Sequence, residues 1–488
     1  MKPGDTNDLW QDIVCATAGL GPDATALRIP LWVALQGPQP TGRRQAKDIL
    51  KAAIQVSPVR RTTRLATKPN PGLLFCFPFS TPSNMNNLLP VAREARRRGL
   101  LGGIVTGGDF SSHLTEFAGE IPVISIKQLV ADLPLKERAR NLKEFFRTYR
   151  GLLDAFSERR PKLASSLMAN RGAFIRALAD SVQCCAIFKR LLEKCSPSAI
   201  VSSSDFWSFE HQLCGHAASH RIPSFVIQHG TIGDFWWPFI ADCYCVWGET
   251  DFDEMRRLGA PPERLAILGL PATDKIFVQS GTTQYDEQKK RSNPVCLILS
   301  HTHGSNFEPE IFQQFSQFFA QAVHTMPAVT WKVKLHPAED DSFYRKMGSA
   351  VFERLVFHPK QISLQEAVAD ADVATTVYST SGLEAMIMDR PLIVAPLMPR
   401  VREFAPWPVT GGGTYASSTQ EFQTQFNRLV SERDYWNAQM GKQRTFLARH
   451  FANRGHAAEC VADFLESYPD RRSADPAAKV SVGTLTAR

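Results

Sequence analysis

The sequence predicts an α/β protein of two parallel-sheet domains facing across a cleft, with a helical insertion in the first. Three observations carry this. Short apolar, β-branched runs alternate with helical segments over 71–281 and again over 294–450, the rhythm of βαβ units. A polar stretch without apolar periodicity, 282–293, separates the two series as a linker. A chain of 488 residues is also too long for one ordinary core.

Residues 1–70 are weakly periodic, broken by Pro, Gly and basic residues, and read as an irregular N-terminal extension with short helices. The first strand is expected over 72–77, then a helix around 88–98 and strands over 101–106 and 121–126. From about 135 to 195 the apolar residues recur at helical spacing, as in Leu142, Phe145, Phe146, Tyr149, Leu152 and Leu153. That segment is the helical insertion. Strands resume over 198–202, 224–227, 241–247 and 265–268. Beyond the linker they are expected over 295–299, 329–335, 355–357, 373–377 and 392–395, with helices around 311–325, 364–370, 382–388 and 419–435 between them. A closing helix over 451–470 and a small, polar, disordered tail over 471–488 complete the reading.

Composition narrows the function. Hydrophobic content of 43% and charged content of 21% fit a soluble globular protein. No run approaches the ~18–20 apolar residues of a membrane span, and the first residues lack the apolar core of a signal peptide. A cytoplasmic location is therefore expected. The net charge of +8 is too mild and dispersed to argue for nucleic acid. It suits an anionic substrate, or peripheral contact with the cytoplasmic face of an inner membrane. The densest basic cluster, Arg93, Arg96, Arg97 and Arg98, reads as a solvated helix end. The ten cysteines show neither zinc nor redox spacing. Cys76, Cys243, Cys245 and Cys296 fall in apolar strands and are expected to be buried thiols. No metal and no cofactor are expected.

Two stretches carry most of the chemistry. In Trp331-Lys-Val-Lys-Leu-His-Pro337 the proline ends a strand and holds His336 at the sheet edge. Lys332 and Lys334 share a strand face there and could add positive charge. In Tyr378-Ser-Thr-Ser-Gly-Leu-Glu-Ala385, Ser379, Thr380 and Ser381 meet a helix N-terminus with Glu384 in its first turn. Free amides and hydroxyls together make an anion site. A plain N-cap with Glu384 as capping-box partner is the alternative, but a cap needs one hydroxyl and three are present.

Other strand exits add candidates. Ser300-His301-Thr302-His303-Gly304 follows the first strand of the second domain, the usual place for a diphosphate cradle. Val226-Ile-Gln-His229-Gly230-Thr231 puts a histidine at an edge of the first domain, where imidazole suits a general base. Asp234, Trp236 and Trp237 follow it. Ser204 and Asp205, and Asn84 and Asn86, are acceptor-side candidates at two further exits, each reading as structural when taken singly. Trp247-Gly248-Glu249 and Gly269-Leu270-Pro271 read singly as turns.

Taken together, Gln-His-Gly-Thr at 228–231, Trp-Gly-Glu at 247–249, Gly-Leu-Pro at 269–271, Leu-His-Pro at 335–337 and Ser-Thr-Ser at 379–381 resemble one group of bacterial GT-B glycosyltransferases of surface-polysaccharide assembly. The group includes capsule synthases, Kdo and sialic acid transferases and teichoic-acid glycerophosphotransferases. The resemblance covers roughly 195–400. It implies a GT-B-type fold of two Rossmann-like domains, with a nucleotide-sugar donor held by the second. His336, Ser379, Thr380 and Ser381, with His301 and Thr302, would hold its phosphate, and Glu384 its ribose. His229 would correspond to the cleft histidine proposed as catalytic base in the glycerophosphotransferases, or would instead bind the acceptor or donor phosphate, and a glycan or lipid-linked molecule would be the acceptor. One departure stands out: the acidic base motif of the bacterial sialyltransferases has no convincing counterpart. A UDP-N-acetylglucosamine 2-epimerase-like isomerase and a non-catalytic nucleotide-sugar-binding scaffold are the alternative functions.

Overall fold

Two all-parallel sheets frame the protein in the computed structural model. The described residues run from 71 to 279 and from 293 to 474, less 78–81, 107–111, 118, most of 127–194, 206–207, 234–235, 237–238, 301–308, 337–338 and 398–404. The N-terminal extension, nearly all of the linker and most of the helical insertion lie outside them.

The first sheet has the order β3 (Val123–Ser125), β2 (Leu101–Thr106), β1 (Leu73–Phe77), β4 (Ala199–Ser202), β5 (Ser224–Ile227), β6 (Cys243–Val246), β7 (Leu265–Ile267). The second runs β10 (Leu355–Phe357), β9 (Thr330–Lys334), β8 (Val295–Leu299), β11 (Val373–Thr376), β12 (Leu392–Val394), β13 (Thr414–Tyr415). Each starts in its middle, winds to one edge, then returns to wind to the other. Order therefore reverses between β1 and β4, and between β8 and β11, the crevices where doubly wound sheets take ligands. Central strands are covered on both faces, which is why β1 and β8 are buried along their whole length. Cys76, Cys243, Cys245 and Cys296 are buried in these strands, as read from the sequence. The strand β13 was not foreseen; two residues are too short a signal.

The helices used below are α1 (Pro82–Arg97), α2 (Ser208–Ser219), α3 (Glu249–Arg257), α4 (Asp274–Gln279), α5 (Pro309–Thr325), α6 (Leu364–Ala369), α7 (Ser381–Ile387), α8 (Thr419–Ser431), α9 (Arg433–His450) and α10 (Ala457–Ala474). The helix expected around 88–98 begins earlier, at Pro82, and carries Pro90 inside it. The single helix expected over 419–435 is two. Glu432 adopts extended backbone (φ −109°, ψ 104°) and ends α8 before α9 begins. Helix α9 escapes a periodicity reading because it buries Gln439 and Gln443 beside Trp436, Met440 and Phe446. Gln443 is useful there: its Oε1 accepts from Leu392 N at 2.9 Å and its Nε2 donates to the Arg390 carbonyl at 3.0 Å, pinning the start of β12.

The C-terminal chain does not stay with the second domain. Helix α10 runs to Ala474, past the expected start of the tail, and packs on the first. Val461 and Leu465 join the core of Phe75, Phe225 and Ile227, and Tyr468 meets Phe225 edge-on at 4.6 Å. The Asp274 carboxylate accepts from Ala457 N at 2.9 Å and Ala458 N at 2.8 Å, capping α10 from a distant part of the chain. Arg98 pairs with Asp463 and Glu466, Arg93 with Glu116 and Arg96 with Glu120. The basic cluster is thus tied into acidic neighbours rather than left as a bare solvated end.

Two motifs that read as turns make this return possible. A Cβ on Gly248 would lie 2.3 Å from the His450 carbonyl oxygen, and one on Gly269 2.3 Å from that of Ala452. Gly269 also holds φ +93°, which favours glycine. Ala452 N donates to the Trp247 carbonyl at 2.8 Å across the gap this leaves. Trp247, Leu270 and Ile276 then share one core with Leu297, Trp407, Phe446 and Phe451 of the second domain. Gly269→Ala is expected to lower unfolding stability by about 1–3 kcal/mol, the usual size of a strained backbone position, read as a drop in denaturation midpoint; an unchanged midpoint would mean the crossing tolerates a side chain.

Candidate functional site

In the second domain, three strand exits converge on the β8/β11 reversal. Thr376, the last residue of β11, joins two of them: its Oγ1 donates to the Leu299 carbonyl at 3.1 Å and accepts from Ser379 N at 3.1 Å. Ser379 Oγ and Ser381 Oγ lie 2.7 Å apart at the start of α7. Gly382 lets that helix sit close to the sheet, since a Cβ there would meet Leu392, Thr376 and Trp407 at 3.1–3.3 Å. Thr380 occupies the N-cap position, exposed, with no side-chain cap bond. The capping-box alternative is therefore not formed.

Glu384 turns inward instead. Its carboxyl is half-buried, and burial pushes its pKa up to about 7; Gln365 Nε2 lies 3.4 Å away. His336 leaves β9 half-buried, and burial holds its pKa below the ordinary imidazole value against the opposing pull of Glu339. Glu339 was missed by sequence reasoning. Its Oε2 accepts from His336 N at 2.9 Å while its own N–H donates to the His336 carbonyl at 2.9 Å, a clasp that fixes the turn after β9. The i, i+3 spacing of His336 and Glu339 was the available signal.

The two lysines of β9 do share a face, but they serve elsewhere. Lys332 pairs with Asp370, and Lys334 Nζ donates to the Ile362 carbonyl at 2.6 Å. Both ammonium groups are drawn toward the flank beside α6, which corrects the expectation that they add charge at the strand exit. His301 and Thr302 lie outside the described residues.

In the first domain, His229 follows β5. Its Nδ1 lies 2.7 Å from the Ser203 carbonyl. A carbonyl only accepts, so Nδ1 carries the proton and, in the neutral ring, Nε2 carries the lone pair. The ring is half-buried, 5.4 Å from the Trp236 ring, and burial lowers its pKa. Both features suit a base at neutral pH. Gln228 ties this exit to the crossing: its Oε1 accepts from Trp247 N at 3.0 Å and its Nε2 donates to the Gly230 carbonyl at 2.9 Å. Trp236 is fully buried, with its indole N–H bonded to the Thr231 carbonyl at 3.0 Å, and so is no open platform for a sugar ring.

The acceptor-side candidates fare differently. Ser204 and Asp205 are fully buried. Ser204 Oγ donates to Glu210 at 2.9 Å, and Asp205 Oδ2 accepts from Ile240 N at 2.7 Å, Ala241 N at 3.0 Å and the Tyr244 hydroxyl. They lie beneath the site rather than facing an acceptor, a correction forced by their burial. Asn86 is exposed on α1, and the Asn84 side chain lies outside the described residues.

These two doubly wound domains define the GT-B fold. No protein-family model matches the chain, and no curated protein matches it by sequence. Among solved structures it is similar to a putative UDP-N-acetylglucosamine 2-epimerase from Listeria monocytogenes, at 11% identity over 82% of this chain and 97% of that one, with a TM-score of 0.53. It is similar to the UDP-GlcNAc 2-epimerase from Neisseria meningitidis bound to UDP-GlcNAc, at 12% identity over 81% and 100%, with a TM-score of 0.52. It is likewise similar to the S. aureus MnaA–UDP co-structure, at 12% identity over 82% and 97%, with a TM-score of 0.52.

The Glu384 shift has a measurable sign. Its folded pKa of about 7 lies above the ordinary 4.5, so its contribution is full below pH 4.5 and is lost as pH rises through 7. Glu384→Gln is expected to gain about 1–2 kcal/mol on the parent between pH 5 and 8, allowing for partial exposure. Denaturant titrations at the two pH values check it; a constant difference would place Glu384 in water.

Proposed function

We propose that the protein is a metal-independent glycosyltransferase that moves a sugar or sugar-like group from a nucleotide-activated donor to a surface-polysaccharide or lipid-linked glycan acceptor. One observation carries the reading: hydroxyls and a half-buried carboxyl stand at the reversal of the second sheet, a histidine whose pKa burial lowers leaves the neighbouring strand β9, and a histidine with its Nε2 lone pair stands at an exit of the first sheet. Donor phosphates would be held by Ser379, Thr380, Ser381 and His336 with the amides of the 379–381 turn, and the ribose by Glu384. His229 Nε2 would take the acceptor hydroxyl proton as the new glycosidic bond forms and the bond to the nucleotide phosphate breaks. Fixed dipoles at the leaving phosphate then stand in for a cation. A donor site at the inner-membrane face would suit a lipid-linked acceptor.

A nucleotide-sugar isomerase is the second reading, favoured by the fold shared with proteins described as UDP-GlcNAc 2-epimerases. At 11–12% identity that likeness bears on fold, and one fold hosts many functions. Of the described first-domain acids, Asp205, Glu210 and Asp251 are nearly or fully buried, and these three are unsuited to acid–base chemistry on an open surface. A non-catalytic scaffold is the third.

Thermal denaturation with CMP, CDP, UDP, GDP and dTDP tests the donor site. A nucleotide at 100 times its Kd stabilises the folded state by about 2.7 kcal/mol. One nucleotide is expected to raise Tm, and His336→Ala and Ser379→Ala to abolish that rise; unchanged binding in both variants would remove the pocket assignment. His229→Ala is expected to retain the nucleotide shift and lose about 10²- to 10⁴-fold in kcat. Isomer formed without an acceptor would decide for the epimerase, and binding without turnover for the scaffold.

A further inference from the structure

We propose that Asp205 is the positioning residue for His229, fixing which ring nitrogen carries the proton. This rests on the reading of His229 as the group that takes the acceptor proton. Sheet order supplies the argument. Strand β5, which delivers His229, lies between β4 and β6. Asp205 follows β4 and Tyr244 belongs to β6, paired in register with Val226 of β5. The Asp205–Tyr244 bond therefore straps across β5 just before the His229 exit.

That strap controls both neighbours that hold the imidazole. On one side Asp205 lies two residues from Ser203, whose carbonyl accepts the Nδ1–H hydrogen bond at 2.7 Å. The turn between them is closed by Ser202 Oγ on the Ser204 carbonyl at 2.7 Å and by Ser204 Oγ on Glu210 at 2.9 Å. On the other side the same Asp205 oxygen collects the amides of Ile240 and Ala241. These end the segment that begins at Thr231 and presents Trp236 to the His229 ring. Tyr244 also accepts from Ala241 N at 3.0 Å, closing the same joint. Ser203, Ser204 and Asp205 are fully buried, so water does not compete for these bonds. Three donors on one oxygen call for an acceptor there, which a carboxylate supplies best.

Loosening the joint frees the Ser203 carbonyl to drift from Nδ1. The neutral ring then divides between its two tautomers, and Nε2 loses part of its lone-pair population. A misplaced or wrong-tautomer base loses rate rather than substrate affinity.

The test is nitrogen NMR of the full-length protein labelled with ¹⁵N-histidine, at a pH where the ring is neutral, with His229→Gln identifying the resonances by their absence. The parent is expected to show the Nδ1–H tautomer. Asp205→Asn and Tyr244→Phe are each expected to move the His229 signals toward a mixture, the first further than the second. In turnover, kcat is expected to fall on the order of tenfold or more, with donor KM little changed. A folded Asp205→Asn protein whose His229 remains wholly Nδ1–H would overturn the proposal, whatever its Tm. Should that variant fail to fold, Tyr244→Phe decides on the same signal. Full turnover in His229→Ala would instead remove the base reading while leaving the tautomer result to stand.

Discussion

The return of the C-terminal chain from the second domain to the first is the constraint on which the rest of the molecule depends. The chain leaves α9 at His450, passes over Gly248 and Gly269, and starts α10 on the Asp274 carboxylate. This crossing is apolar. Trp247 packs against Phe451 with rings 5.9 Å apart, and His450 stacks on Phe446 at 4.8 Å. Burial also removes charge: it pushes Asp251 up to about 8 and His450 down to about 3. Burial thus favours the uncharged form of each, with His450 Nδ1 and Asp251 Oδ2 3.9 Å apart. An uncharged, aromatic joint can hold two domains together without demanding a buried ion pair, whose desolvation is costly.

The candidate site follows a similar rule of few net charges. Burial keeps His229 and His336 on the neutral side of their ordinary range. The lysines nearest the second-domain edge are engaged by Asp370 and by backbone carbonyls. Among the described residues, what remains for an anion is a set of hydroxyls and amide dipoles, which need no reorganisation when a phosphate arrives. Glu384 and Glu339 place carboxyl groups on the same edge, where a ribose hydroxyl, not a phosphate, is the natural partner.

Much of this was legible in the residues. Strands β2, β5, β8 and β10 fall on the residues read for them, because apolar, β-branched runs ending in polar turns leave little choice. Ser379, Ser381 and Glu384 assemble where a helix start after β11 requires. Several of the misreadings share a cause: they turn on partners distant in sequence. Asp205 reads as a strand-exit acid that could line the cleft, and only the fold supplies the Ile240, Ala241 and Tyr244 donors that bury it. Lys332 and Lys334 point the way the alternation predicts, but Asp370 and the Ile362 carbonyl are invisible to a local reading. Gly248 and Gly269 look like turn punctuation until the chain at 450–452 crosses them.

The central claim is that the edge of the second domain, at the β8/β11 reversal, holds a nucleoside phosphate. Hydrogen exchange read by mass spectrometry, with and without saturating UDP and separately CMP, tests this most directly. The account predicts that the nucleotide that binds protects amides in 334–339 and 376–387 and leaves the far edge strands, β3 and β13, unchanged. Protection confined to the first domain, with 376–387 exchanging as before, would contradict it.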